Sequence, residues 1–152
     1  MSDLLYGLST NGNAICRFWI SYISPILPVF DITIISYSLL YPSIFFPGTS
    51  QYDKSGIVYF PHSEKIFRLI NSINPISWIH AFQKIREIRP DLLIVVWWMP
   101  FFGPALGALS SFVKNKLGIK ITFLIENYLS HEKRWFNKVL AKYALKHADF
   151  FI

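Results

Sequence analysis

Leu92-Leu-Ile-Val-Val-Trp-Trp98, held between Asp91 and Pro100, is the stretch that decides the fold. So short a run of β-branched and aromatic residues, bounded by an acid and a proline, reads as a strand buried on both faces, the kind found inside a parallel sheet. A second such run, Ile119 to Ile125, follows one helix later. Between them, Pro104 to Leu117 carries helical punctuation: proline near the first turn, Lys114 and Lys116 in the last turn, Gly118 just past the end. Strand, helix, strand makes a βαβ unit, and the crossover forces the two strands to run parallel. Both then release their next residues at one edge of the sheet. Trp97, Trp98, Glu126, Asn127 and His131 arrive there, at the edge where open α/β sheets bind ligands.

A membrane span competes for the same residues, because Leu92 to Val113 carries no charge and is long enough to cross a bilayer. Pro100, Gly103, Pro104 and Gly107 stand in the middle of that segment, and Trp97 and Trp98 fall inside the hydrocarbon instead of at its rim. The strand-and-helix reading is therefore the one expected.

The chain has 152 residues, enough for one domain with a proper core. It is 53% hydrophobic and 18% aromatic, with only 16% charged residues against an average near a quarter. So much apolar surface calls for burial against another domain, a partner or a lipid surface. Fifteen Lys and Arg against nine Asp and Glu give a formal charge of +6, which favours phosphates, acidic lipids or other anions. Cys16 stands alone, which excludes an internal disulfide. Nothing at the N-terminus combines a basic region with a sustained apolar run, so no signal peptide is read and a cytoplasmic protein is expected.

Taken in order, Leu4 to Leu8 reads as a first strand ending in a turn at Asn11-Gly12-Asn13. A helix beginning near Ala14 makes this a layout that points backbone N–H groups at a phosphate, although an ordinary turn or cap has the same composition. Asp31 to Ser38 resumes as a strand and completes a first βαβ unit. A long irregular span, Leu39 to about Pro61, carries Tyr41, Phe45, Phe46 and Tyr52 and is expected to pack onto something. Asn74-Pro75 reads as N-cap and first helical residue of a helix that Arg89-Pro90 stops. His80 lies off that helix's apolar stripe and is expected in solvent.

His131 to His147 reads as a basic amphipathic helix. Phe136, Val139, Leu140 and Tyr143 form one stripe, and Arg134, Lys138, Lys142 and Lys146 form another, either a solvated face or a contact for anionic headgroups at a membrane. Asp149 to Ile152 looks like the start of a further strand.

The four histidines are scattered and no His or Cys pair has ligand spacing, so no metal site is expected. Neither a nucleophile elbow, a Walker loop nor a dinucleotide fingerprint occurs. Basic residues and aromatics are not interleaved on one surface, so nucleic acid is not an expected partner. What remains is the polar sheet edge, with Glu132 and His131 open to the plainer roles of dipole complement and helix cap.

Pro90-Asp-Leu-Leu-Ile-Val-Val-Trp-Trp-Met-Pro100, Leu117-Gly-Ile-Lys120, Glu126-Asn-Tyr-Leu-Ser-His-Glu132 and Ala148-Asp-Phe-Phe-Ile152 resemble phrases in the N-terminal half of retaining glycosyltransferases of family 4, which have two Rossmann-like domains in a GT-B fold. Tyr41 to Gly48 is similar to the loop after the second strand in one branch of these enzymes. The resemblance implies an α/β fold, a Rossmann-like parallel sheet with helices on both faces. It makes residues 1–152 an N-terminal, acceptor-side domain whose donor-binding C-terminal partner is missing from the chain.

By the same resemblance a nucleotide-sugar is a co-substrate, no cofactor or obligatory metal is needed, and the acceptor is a lipid-linked or polysaccharide glycan at the cytoplasmic membrane face. Asn11, Gly12 and Asn13 then face the donor phosphates. Glu126 stands near the reacting sugar as the catalytic position, and Trp97, Trp98, Asn127, His131 and Glu132 line the acceptor side. The family commonly has paired glycines in the first loop and a histidine at the position of Glu126, so this chain departs from it at both places. A non-catalytic protein docking on membranes through Arg134, Lys138, Lys142 and Lys146 is the alternative.

Overall fold

A computed structural model describes residues 3–7 (backbone only), 30–41, 65–126 and 135–152. The strands are β1 (Asp3–Gly7), β2 (Asp31–Leu39), β3 (Ile66–Asn71), β4 (Leu92–Trp97), β5 (Lys120–Ile125) and β6 (Phe150–Phe151). Three helices are described: α1 (Pro75–Ile88), α2 (Gly103–Leu117), entered through a 3₁₀ turn at Pro100–Phe102, and α3 (Trp135–Leu145). The strands form one sheet in the order β3-β2-β1-β4-β5-β6, every pair parallel. From β1 the chain moves outward to β3, and from β4 it moves outward the other way to β6. The direction reverses between β1 and β4, the switch point of a doubly wound sheet.

The two runs that decided the sequence reading lie side by side. β4 and β5 pair in unbroken register from Leu92 against Lys120 to Trp97 against Ile125. Helix ends follow their signals. Asn74 accepts a hydrogen bond from the Ile76 amide at 3.0 Å with Pro75 in the first turn, and Gly118 closes α2 at φ 68°. Because Pro90 excludes a further turn, Arg89 ends α1 in the left-handed region at φ 50°. The charge-free segment from Leu92 thus divides into a strand and a helix. Among the described residues no helix is long and apolar enough to cross a membrane.

Four expectations change. β4 is fully buried on one face only: Leu93, Val95 and Trp97 enter the core, while Leu92, Ile94 and Val96 are half-buried. α1 and α2 seal the first face with Ala81, Ile85, Ala105, Leu109 and Val113. β2, by contrast, buries both faces, with Ile32 and Ile34 on one and Ile35 and Tyr37 on the other. The helix expected over residues 14–24, the Asn11–Asn13 turn and most of the Leu39 to Pro61 span lie outside the described residues.

The second change is β3, to which periodicity assigned nothing. Only Ile70 of its six residues is buried, Arg68 is exposed, and its pairing with β2 slips at Ser36 to Leu39. An edge strand of this kind carries almost no alternation to read.

The third is the facing of α3. Asn137, Ala141 and Ala144 point inward, whereas Phe136, Val139 and Tyr143 remain 39%, 54% and 37% exposed. The cause is on α2. A Cβ on Gly103 would stand 2.9 Å from the Leu140 carbonyl oxygen, and one on Gly107 would meet the Tyr143 ring and stand 3.1 Å from Cα of Ala144. The two helices approach closely at both glycines, so the alanines face in, and Tyr143 lays part of its ring over Gly107 while the rest stays exposed.

The fourth is Trp97, which is fully buried and meets Phe123 at a ring separation of 6.5 Å. It underlies the sheet edge and presents no surface there. His80 is exposed, as expected.

Candidate functional site

At the C-terminal edge, the amide of Glu126 donates to the carbonyl of Trp97 at 2.9 Å. This bond carries the β4–β5 ladder one residue past β5 and sets Glu126 beside the exit of β4. Glu126 is exposed there. Trp98, the next residue on β4's side, is half-buried within an aromatic cluster. Its ring lies 5.5 Å from Phe102, edge-on, and 6.1 Å from Tyr41. Tyr41 stacks on Phe101 at 5.7 Å and 27°, and Tyr37 supports Phe102 from below at 5.1 Å. Each such pair adds a few tenths to about 1.5 kcal/mol beyond its area burial, so the cluster is a rigid platform linking the end of β2 to the turn after β4.

The Tyr41 hydroxyl donates to Sδ of Met99 at 3.0 Å, and burial pushes that phenol up to about 12. Burial, with Tyr41 close by, raises Tyr37 too. Both phenols therefore stay neutral at physiological pH.

Beside the platform lies a pocket of about 460 Å³. Ser72 and Ile73, just past β3, form one wall, and Trp78 of α1 forms the next. Met99, Phe101 and Pro104 close it from the turn after β4, and Phe136, Asn137 and Leu140 from the start of α3. Ser77 accepts from the Asn71 amide at 2.9 Å and Trp78 Nε1 donates to the Asn71 carbonyl at 2.7 Å, which holds the β3–α1 junction in place. The Ser72 hydroxyl is buried and has no hydrogen-bond partner.

The structure therefore brings Trp97, Trp98 and Glu126 together at one edge. Lys138, Lys142 and Lys146 project from the exposed side of α3, with Lys146 Nζ 5.1 Å from the Tyr143 ring centroid. Asn11, Gly12, Asn13, Asn127, His131, Glu132 and Arg134 lie outside the described residues. Among the described residues no group of three or more His, Cys, Asp or Glu could hold a metal ion.

The pocket itself went unread in the sequence. Its walls come from four separate segments, and Phe136 reads in the sequence as part of an apolar helix stripe. Met-Pro-Phe-Phe directly after a strand was the one local sign that something apolar gathers at this edge.

No family model and no curated protein matches the chain. Solved structures do. An α-glucosyltransferase, determined with UDP and a 13-mer DNA containing a central A:G mismatch, matches 99% of this chain with a TM-score of 0.60 at 11% identity. A protein of unknown function from Vibrio parahaemolyticus matches 99% of it with a TM-score of 0.51 at 12% identity. A UDP-GlcNAc 2-epimerase from Methanocaldococcus jannaschii gives 99%, 0.49 and 14%.

The match spans 36% of the glucosyltransferase, 38% of the epimerase and 91% of the Vibrio protein. At these identities the likeness is one of fold. The chain has a Rossmann-like α/β fold, shared with part of the α-glucosyltransferase.

Proposed function

We propose that this chain is the acceptor-side domain of a retaining, family 4-like glycosyltransferase that moves a sugar from a nucleotide-sugar to a lipid-linked or polysaccharide acceptor. The observation that carries the reading is the Glu126 to Trp97 main-chain bond, which fixes a carboxylate at the ligand-binding edge of a doubly wound sheet. The glucosyltransferase with the same fold was determined with UDP, which supports a nucleotide-sugar as the donor class. A second, donor-binding domain is the partner this reading requires, with Asn11, Gly12 and Asn13 facing the diphosphate across the cleft.

In that cleft the bond between the anomeric carbon and the donor phosphate breaks and a bond to an acceptor hydroxyl oxygen forms on the same face. The hydroxyl proton leaves with the phosphate. Glu126 accepts hydrogen bonds from sugar hydroxyls and so orients the reacting ring, a role that suits a carboxylate better than direct contact with a diphosphate would. Trp98 holds the platform beneath it, and Asn127, His131 and Glu132 complete the acceptor side.

The test is turnover of nucleotide-sugars by the complete gene product. Glu126→Ala is expected to lower kcat by about 10²-fold or more with the fold intact by circular dichroism. Absence of turnover with every common nucleotide-sugar would overturn the reading. A non-catalytic membrane-docking protein is the second reading, favoured by the exposed Trp135, Phe136 and Val139 beside lysines. It predicts vesicle binding without turnover.

A further inference from the structure

We propose that Met99 is a site of reversible oxidation: a peroxide converts its thioether to the sulfoxide, the Tyr41 hydroxyl relays the proton, and the aromatic platform responds. The chemistry is independent of sugar transfer. Met99 is half-buried, lies between Trp98 and the 3₁₀ turn, and is one of the residues lining the pocket of about 460 Å³. A peroxide is scarcely larger than water, so a pocket of this size gives it room to approach.

Thioethers accept one oxygen atom from a peroxide, and a reductase can remove it again. The S–O bond forms as the O–O bond breaks, so the departing oxygen needs a proton and the arriving oxygen must lose one. The Tyr41 hydroxyl donates to Sδ of Met99 at 3.0 Å, which sets a proton source beside the atom that reacts. Burial pushes that phenol up to about 12, so it stays protonated throughout the physiological range. It passes its proton to the departing oxygen, which leaves as water, and takes up the proton of the oxygen now on sulfur. Tyr41 ends as it began. A thioether is a weak acceptor, and the hydroxyl then has the more polar sulfoxide oxygen to donate to.

The platform turns this local change into a larger one. Tyr41 also stacks on Phe101 at 5.7 Å and meets Trp98 at 6.1 Å, so the residue that holds Met99 also joins the end of β2 to the turn after β4. Met99 itself packs against the core at this point. A sulfoxide is polar and larger than the sulfur it replaces, and setting one among aromatic rings draws Tyr41 away from its stacking partners. The oxidised chain therefore has a looser platform and a more polar pocket wall. Reduction by a thiol-dependent reductase restores both.

The chain has two methionines, Met1 and Met99, so a single internal peptide reports the site. The experiment treats the full chain with hydrogen peroxide in the presence of N-acetylmethionine amide as competitor and follows the gain of one oxygen by peptide mass. Met99 is expected to react about tenfold or more faster than the competitor, and Tyr41→Phe, which keeps the ring, should remove that advantage. Tryptophan fluorescence should shift as Met99 is oxidised and return on treatment with methionine sulfoxide reductase and dithiothreitol. In Met99→Leu, a swap of similar volume, peroxide should leave the fluorescence unchanged.

A Met99 that reacts no faster than the competitor, or equally fast in Tyr41→Phe, overturns the relay. Should Tyr41→Phe not fold, the ratio of rates in the parent chain decides alone. Oxidation that leaves the fluorescence unchanged, or that the reductase does not reverse, overturns the switch.

Discussion

Asp149 shows how a single side chain can hold an edge together. Its carboxylate takes hydrogen bonds from Lys114 on α2, from Lys120 at the start of β5 at 3.3 Å and from the Ile121 amide at 2.9 Å, while its own amide donates to the Ile121 carbonyl at 2.7 Å. Lys114 above all, then the Ile121 amide, lowers its carboxyl to about 2. A carboxyl depressed in the folded state stabilises above its unfolded value, near 3.9, and the contribution is lost as pH falls from there toward 2. Asp149→Asn should therefore lower the urea midpoint at pH 7. Between about pH 4 and pH 2 the variant's midpoint should fall less steeply than that of the parent chain. Parallel curves in the two proteins would exclude this role.

Elements were legible in proportion to how much of their reason is local. β4, α2 and β5 could be read because a buried run, a proline and a terminal glycine each sit within a few residues of what they specify. β3 could not, since one buried isoleucine beside an exposed arginine gives no period. α3 was recognisable as a helix over its described residues, but its rotation was not. That rotation is set by Gly103 and Gly107 on a different helix, and a stripe of aromatics on α3 cannot report them. Gly103→Ala puts the matter to a test. Glycine to alanine ordinarily favours a helix by as much as about 1 kcal/mol. Here the new methyl meets the Leu140 carbonyl, and a net loss of about 1–3 kcal/mol is expected in urea unfolding. A gain in stability would mean that the two helices can part without cost.

For the molecule as a whole, six parallel strands mean that nearly every pairing joins residues distant in sequence. β1 is paired on one side with β2 and on the other with β4, more than eighty residues away by its register of Leu4 against Leu92. The candidate site inherits this construction. Glu126 and Trp98 are recognisable in the sequence because each directly follows a strong strand. The pocket had no such sign, because Ser72, Met99 and Phe136 meet only after the sheet has formed.

The tie between Glu126 and Trp97 consists of main-chain atoms alone, so the tie itself does not depend on which side chain stands at position 126. That position behaves as a socket held by the backbone, into which a different reactive group can be set. Glu126→His should keep this ladder bond while replacing an acid with an imidazole at the same point of the sheet edge. If it also retains more turnover than Glu126→Ala, the divergence of this chain from its look-alikes at that point was a swap of reagents in an unchanged holder.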